Sequence, residues 1–455
     1  MKRFFTVIFL CAAAISASAQ GEVAKKGLNF GPLPAIGYSS DLGWHYGALS
    51  DIYWYGDGST YPEYIWKANV EISRYSKGNT VLHSFFDSKY LVPGLRVSGA
   101  VSWFGNKTTS FYGFNGASSV YVPSLDRITA DAKDFGYLTE GQGFYLMRRD
   151  IFRIQTCVQG EIGGKWGWAG GITYWNIKTG HAENKGLTDG TLSLYDIYVD
   201  HGIIPEAEKK GGQHLEFKAG VVYDTRDHEN NPTRGTNLEV YMFGSPDIIS
   251  KHDNSYLKLA VHFKQFVPVI QDKLTFGAHL AFQGLVAGNA PYYMLQSIQS
   301  INMKQINTEG LGSTCTLRGT INNRLQGNSY AWMNTELRWS FARFRWINQN
   351  WTLATNPFFD MGMIVKTYNA EAMKEALAKN VRDVNAVTDK ESGEVSFYFI
   401  KDFYNDVAQK PHFSAGIGLH VIMNQNFNIN FEFGKCLDPN DGTGLGINIG
   451  LNYIF

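Results

Sequence analysis

The chain has 455 residues, with 41 basic against 41 acidic, a charged share of 18%, an aromatic share of 15% and 48 glycines. A formal charge of zero gives no basic field to hold nucleic acid, which excludes that class of partner. The apolar share of 44% argues against a disordered chain and for one large domain or two ordinary ones.

Residues 1–19 read as a secretory signal peptide. Lys2 and Arg3 precede an apolar run from Phe4 to Ile15, and Ala17-Ser18-Ala19 forms a small-x-small cleavage site that leaves Gln20 as the first mature residue. Cys11 follows Phe9-Leu10 instead of the small residues a lipid-anchor site needs. The other cysteines, Cys157, Cys315 and Cys436, have neither disulfide-framework nor zinc-site spacing and allow at most one bridge. Beyond the signal no run of about 18 apolar residues occurs, so a helical span is excluded and only a closed barrel of strands could cross a bilayer.

Alternation of apolar and polar residues begins at once and predicts strands over 30–39, 43–55, 63–75, 80–91, 95–104, 142–156 and 165–177. It continues more regularly over 214–224, 237–244, 255–267, 273–285, 330–341 and 351–365. The last three stretches are the clearest. Phe413, Ala415, Ile417 and Leu419 alternate with His412, Ser414, Gly416 and Gly418, and Phe427, Ile429, Phe431 and Phe433 alternate with Asn428, Asn430 and Glu432. From Leu445 to Phe455, Ile447, Ile449, Leu451, Tyr453 and Phe455 share the apolar face. That makes about sixteen strands, and the connections alternate between short (92–94, 159–164, 268–272, 342–350) and long (105–141, 178–213, 286–329, 366–411). The expected fold of residues 20–455 is therefore all-β, a 16-stranded antiparallel transmembrane β-barrel of the outer-membrane type, short turns and both termini in the periplasm. A soluble β-sandwich fits less well, because one face is consistently aromatic and aliphatic.

The turn 224–235 holds Asp224, Arg226 and Asp227, then Pro232 and Gly235, a set suited to a tight, solvated turn. Between two barrel strands this D-x-R-D…P-T-R-G pattern resembles the barrel domain of the BamA/TamA-type outer-membrane assembly proteins, the bacterial surface-antigen family. Leu317-Arg318-Gly319 in a long loop, Glu336-Leu337-Arg338 on the next strand, Phe358-Phe359-Asp360-Met361-Gly362 on the one after, Phe111 to Gly116 in an earlier loop and the aromatic-terminated last strand follow in the family's order. By alternation Glu336, Arg338 and Asp360 face the lumen. The resemblance implies that Arg318 folds inward to these carboxylates, a task suited to its planar fork, while Gly319 lets the loop pass close to the wall. Thr320 stands where the family usually has an aromatic. Tyr453 and Phe455 are expected to face lipid or its interface and to form the signal recognised in barrel assembly.

Family members carry periplasmic polypeptide-transport-associated domains before the barrel, whereas only Gly21 to Asn29 separates the signal site from the first strand here, so a barrel alone is expected. The resemblance implies assistance in inserting or exporting proteins or lipids at the outer membrane. The alternatives are a passive pore, or a surface antigen or adhesion platform. Expected partners are outer-membrane lipids, client proteins and a separate periplasmic subunit. No nucleophile elbow, zinc-protease helix or phosphate loop occurs, so no enzyme activity and no cofactor are expected. Neither the lumen histidines His214, His262, His279, His412 and His420 nor the acidic turn 438–442 has metal-ligand spacing, so no metal is expected. Met373, Leu377, Val381 and Val384 predict a short helix in the last long loop.

Overall fold

The computed structural model describes residues 24–39, 43–61, 63–126, 143–183, 192–229, 231–250, 254–298, 300–301, 310–312, 315–379, 386–388, 393, 395–424, 427–442, 444–451, 453 and 455. The expected signal segment 1–19 lies outside them. Among the described residues sixteen strands make the wall, in chain order: β1 Leu28–Ser39, β2 Gly43–Trp54, β3 Trp66–Tyr75, β4 Thr80–Val92, β5 Leu95–Gly105, β6 Leu146–Gly163, β7 Trp166–His181 and β8 Gly211–Asp224. The second half comprises β9 Gly235–Ser245, β10 Tyr256–Ile270, β11 Leu274–Gly288, β12 Ser329–Trp346, β13 Gln349–Lys366, β14 His412–Met423, β15 Phe427–Cys436 and β16 Gly446–Leu451. A two-residue piece, Thr109–Ser110, pairs with the start of β6 and makes seventeen strands in the sheet.

Each strand pairs antiparallel with the next, from β1–β2 through β15–β16. The sheet curls until β1 and β16 lie side by side. Among the described residues no ladder joins these two, and β16 is only 6 residues long against 18 for β12 and β13.

The faces are inverted relative to a water-soluble protein. Trp103, Ile172, Leu280, Trp339, Ile417 and Leu419 are exposed, while Arg153, Lys258, Asn334, Glu336, Asp360 and Glu432 are buried. Period-2 alternation sends one set to each face, and only a lipid-facing exterior around a polar lumen makes that arrangement favourable. The fold is a transmembrane barrel of the outer-membrane type.

The long connections pack together at one end over a core that they share with the inner wall. Phe111, Phe114, Phe144, Tyr145, Tyr198, Tyr292, Tyr368 and Phe403 are all buried there. Phe111 meets Phe114 edge-on at 5.4 Å, and Phe114 meets Tyr368 at 4.8 Å, the geometry that aromatic quadrupoles favour. A helix Leu194–Asp200, closed by a Ser193/Asp196 capping box, and a helix Ala370–Ala378 belong to this lid. The second carries Met373 and Leu377 on its packed face; Val381 and Val384 lie outside the described residues.

Candidate functional site

The lumen wall of β12 to β15 presents three carboxylates. Asp360 on β13 lies opposite Asn334 of β12, Glu336 on β12 lies opposite Phe358 of β13, and Glu432 on β15 lies opposite Gly418 of β14. All three are buried. The loop between β11 and β12 descends into this wall and delivers Arg318. Its Nε and Nη2 donate to the two oxygens of Asp360 at 2.8 and 2.7 Å, and its Nη1 donates to Glu336 at 2.6 Å and to Glu432 at 3.1 Å. The Arg318 backbone N–H adds a bond to Asp360 at 3.1 Å. The guanidinium also lies 3.6 Å above the ring of Phe358. A cation taken this far from water is tolerated only when its donors meet charged acceptors, and the bidentate fork does so. Alternation places Glu432 inward but gives no sign that it partners Arg318.

Backbone shape decides the approach. Gly319 has φ +86°, and a Cβ there would fall 2.2 Å from the Gly434 carbonyl carbon of β15. Its Cα also sits against Gly446, the first residue of β16 and the pairing partner of Gly434. Leu317 supplies an apolar anchor despite Thr320, since it is fully buried with Leu311, Leu325, Trp332 and Ile364. The loop's other arm is held from the opposite wall: Arg149 of β6 donates to the Tyr293 carbonyl at 3.1 and 2.8 Å, and Gln155 donates to the Ser300 carbonyl at 2.9 Å.

Tyr453 and Phe455 depart from expectation. Alternation put them on the lipid face, but both side chains are buried in the lumen. Arg338 lies over Tyr453 at 3.9 Å and over Phe455 at 4.9 Å, and its Nη2 donates to the Phe455 carbonyl at 2.8 Å. His420 stacks on Tyr453 at 4.2 Å, and His279 on Phe455 at 5.4 Å. A cation under two aromatic faces holds both rings in the lumen.

The turn 224–235 forms a second, separate cluster at the short-turn end. Arg226 grips Asp224 through Nε and Nη2 at 2.9 and 2.6 Å. Asp227 accepts from the backbone N–H of Thr233 at 2.9 Å, from that of Arg234 at 3.3 Å and from the Thr233 hydroxyl. Burial opposes ionisation of Asp227, but these donors outweigh it and hold the carboxyl below its usual range. Pro232 is buried and Gly235 has φ +104°. The turn is not simply solvated, because Glu229 reaches Arg96 of β5 at 2.9 Å and Arg96 in turn grips the buried Asp87.

The acidic turn brings Asp438 and Asp441 close to His412. Lys410 already pairs with Asp438 at 2.7 Å and Arg324 lies 3.4 Å from Asp441, so the carboxylate charge is matched without an ion. Arg324 had no sequence signal. It cross-links the lid by donating to the Ser119 side chain and carbonyl at 2.6 and 2.8 Å and to the Asn440 carbonyl at 2.9 Å. The lumen histidines are buried on four strands, with His262 and His279 3.1 Å apart, and Cys157, Cys315 and Cys436 are not joined by a disulfide.

Comparison with known proteins agrees with this architecture. The profile of the Omp85 superfamily domain matches residues 66–455. Among solved structures, BamA from Haemophilus ducreyi lacking POTRA domains 1–3 is 14% identical with a TM-score of 0.51, over 94% of this chain and 70% of that one. CdiB from Escherichia coli is 12% identical with a TM-score of 0.51, over 96% of this chain and 63% of that one. No curated protein matches.

Proposed function

The chain belongs to the Omp85 superfamily, barrels of the outer membrane with a general translocase or insertase role, and from that premise we propose that it assists the insertion or export of other proteins, or of lipids, through the seam between β1 and β16. The observation that carries this reading is the seam itself. Consecutive strands elsewhere are laced by ladders, whereas β16 is short, pairs over six positions with β15 and has no ladder to β1 among the described residues. A seam of that kind parts at lower cost than any other line in the wall, since backbone groups buried in lipid must otherwise lose their partners.

The passive-pore reading is opposed by the loop bound across the lumen and by the aromatic lid above it. In this reading the protein sits in the outer membrane after removal of residues 1–19, Tyr453 and Phe455 act in barrel assembly, and clients arrive directly or through a separate periplasmic subunit. Conditional depletion tests it. Outer-membrane protein or lipid content should fall before viability does. Unchanged content, together with a large steady conductance of the purified protein in planar bilayers, would contradict it.

A further inference from the structure

The inward loop and the tail of the chain share one carboxylate. Glu336 receives Arg318 on Oε1 at 2.6 Å and Arg338 on Oε2 at 2.9 Å. Arg318 belongs to the loop, while Arg338 seats the tail through Tyr453 and the Phe455 carbonyl. At the other end of the same strand, Gly319 presses on Gly446. Strand β16 is therefore held from the lumen at both ends by elements that meet at Glu336.

We propose that Glu336 couples the inward loop to the seam, so that the seating of Arg318 sets how firmly β16 stays in the wall. The physical reason is orientational. A carboxylate gripped on both oxygens has a fixed plane, and the Arg338 fork is aimed by that plane at the tail. When Arg318 leaves Oε1 the plane is free to turn, Arg338 loses its aim and Gly319 leaves Gly446. The tail and the first residue of β16 then lose their lumen contacts together. Coupling runs both ways by thermodynamic necessity, so unseating the tail also loosens the loop. Glu336 is a positioning residue in this scheme, since it touches neither a client nor the seam strand directly.

The proposal deepens the seam reading, but its test needs no client. Hydrogen exchange of the full-length protein in lipid nanodiscs would be read for three peptides, covering the loop around Arg318, strand β16, and β9 on the far wall as a control. Only heat-modifiable, folded material is analysed. Arg318→Lys, which keeps the charge and loses the fork, should speed exchange in the loop and, by about tenfold, in β16, while β9 is unchanged. Phe455→Ala should speed exchange in the loop. In a Glu336→Gln background the added effect of Arg318→Lys on β16 should shrink, because only the contact of Gly319 with Gly446 is left to lose. Unchanged β16 exchange in Arg318→Lys, whether or not the loop loosens, overturns the coupling, and so does full additivity with Glu336→Gln. Either failure leaves the seam reading to the depletion experiment.

Discussion

Arg318 and Asp360, 42 residues apart in the chain, meet through two parallel bonds of 2.8 and 2.7 Å in a lumen that excludes water from both. Reversing the charge in Arg318→Glu places four carboxylates together. Breaking a buried pair costs ~3 to 5 kcal/mol, so the loop should leave the wall while the barrel stays folded. Protease cleavage within 286–328 should rise with heat-modifiability retained. The exchange of partners in Arg318→Asp with Asp360→Arg should restore part of the protection.

Gly319→Ala attacks the same contact without touching charge. A methyl group would overlap the Gly434 backbone in a conformation that already disfavours any side chain. Loop cleavage should therefore rise about as much as in Arg318→Ala. A silent Gly319→Ala would mean that the loop approaches the wall less closely than described.

Phe455→Ala should destabilise the barrel by about 2 to 3 kcal/mol, below the ~3 to 5 of an aromatic in a wholly apolar core, because His279 and Arg338 form part of its surroundings. The urea midpoint of heat-modifiability reports this. Loss of the inward seat, not exposure of a charge to lipid, is the mechanism. Phe455→Leu should keep more stability than Phe455→Ala.

The turn at Asp227 should respond to acid. Its carboxyl is held below the usual range, so its stabilisation is fully present above the ordinary aspartate value near ~3.9 and is lost as pH falls through the lower folded value. Amide exchange of Thr233 and Arg234, corrected for the intrinsic pH dependence, should stay constant from neutrality to about pH 5 and speed up in stronger acid. Thr233→Val removes one of the donors that lower the folded value, so it should shrink the acid response and leave its onset in place.

Much of this was legible in the sequence because a barrel strand is read by a period of two. That period placed all sixteen strands and pointed Glu336, Arg338 and Asp360 into the lumen, where the structure has them. Alternation is blind to a cation–aromatic contact that overrides it. It carried Tyr453 and Phe455 outward, although Arg338 draws both rings inward. It is equally blind to loops. Arg324 and the buried rings of the lid follow no period, since packing between distant connections selected them. Glu432 was legible as lumen-facing, but its meeting with Arg318 depends on the curvature that brings β15 around to β12.

The seam reading is tested most directly by site-specific photo-crosslinking in intact cells. A photoreactive residue would replace Phe30 of β1 or Ile447 of β16 at the seam, and Phe217 of β8 or Met242 of β9 on the far wall, all four exposed. Adducts with outer-membrane proteins or lipid precursors should form at the seam positions and disappear when export is halted, with none at the far wall. Equal adduct formation at all four positions, or none at the seam during active export, would contradict the account.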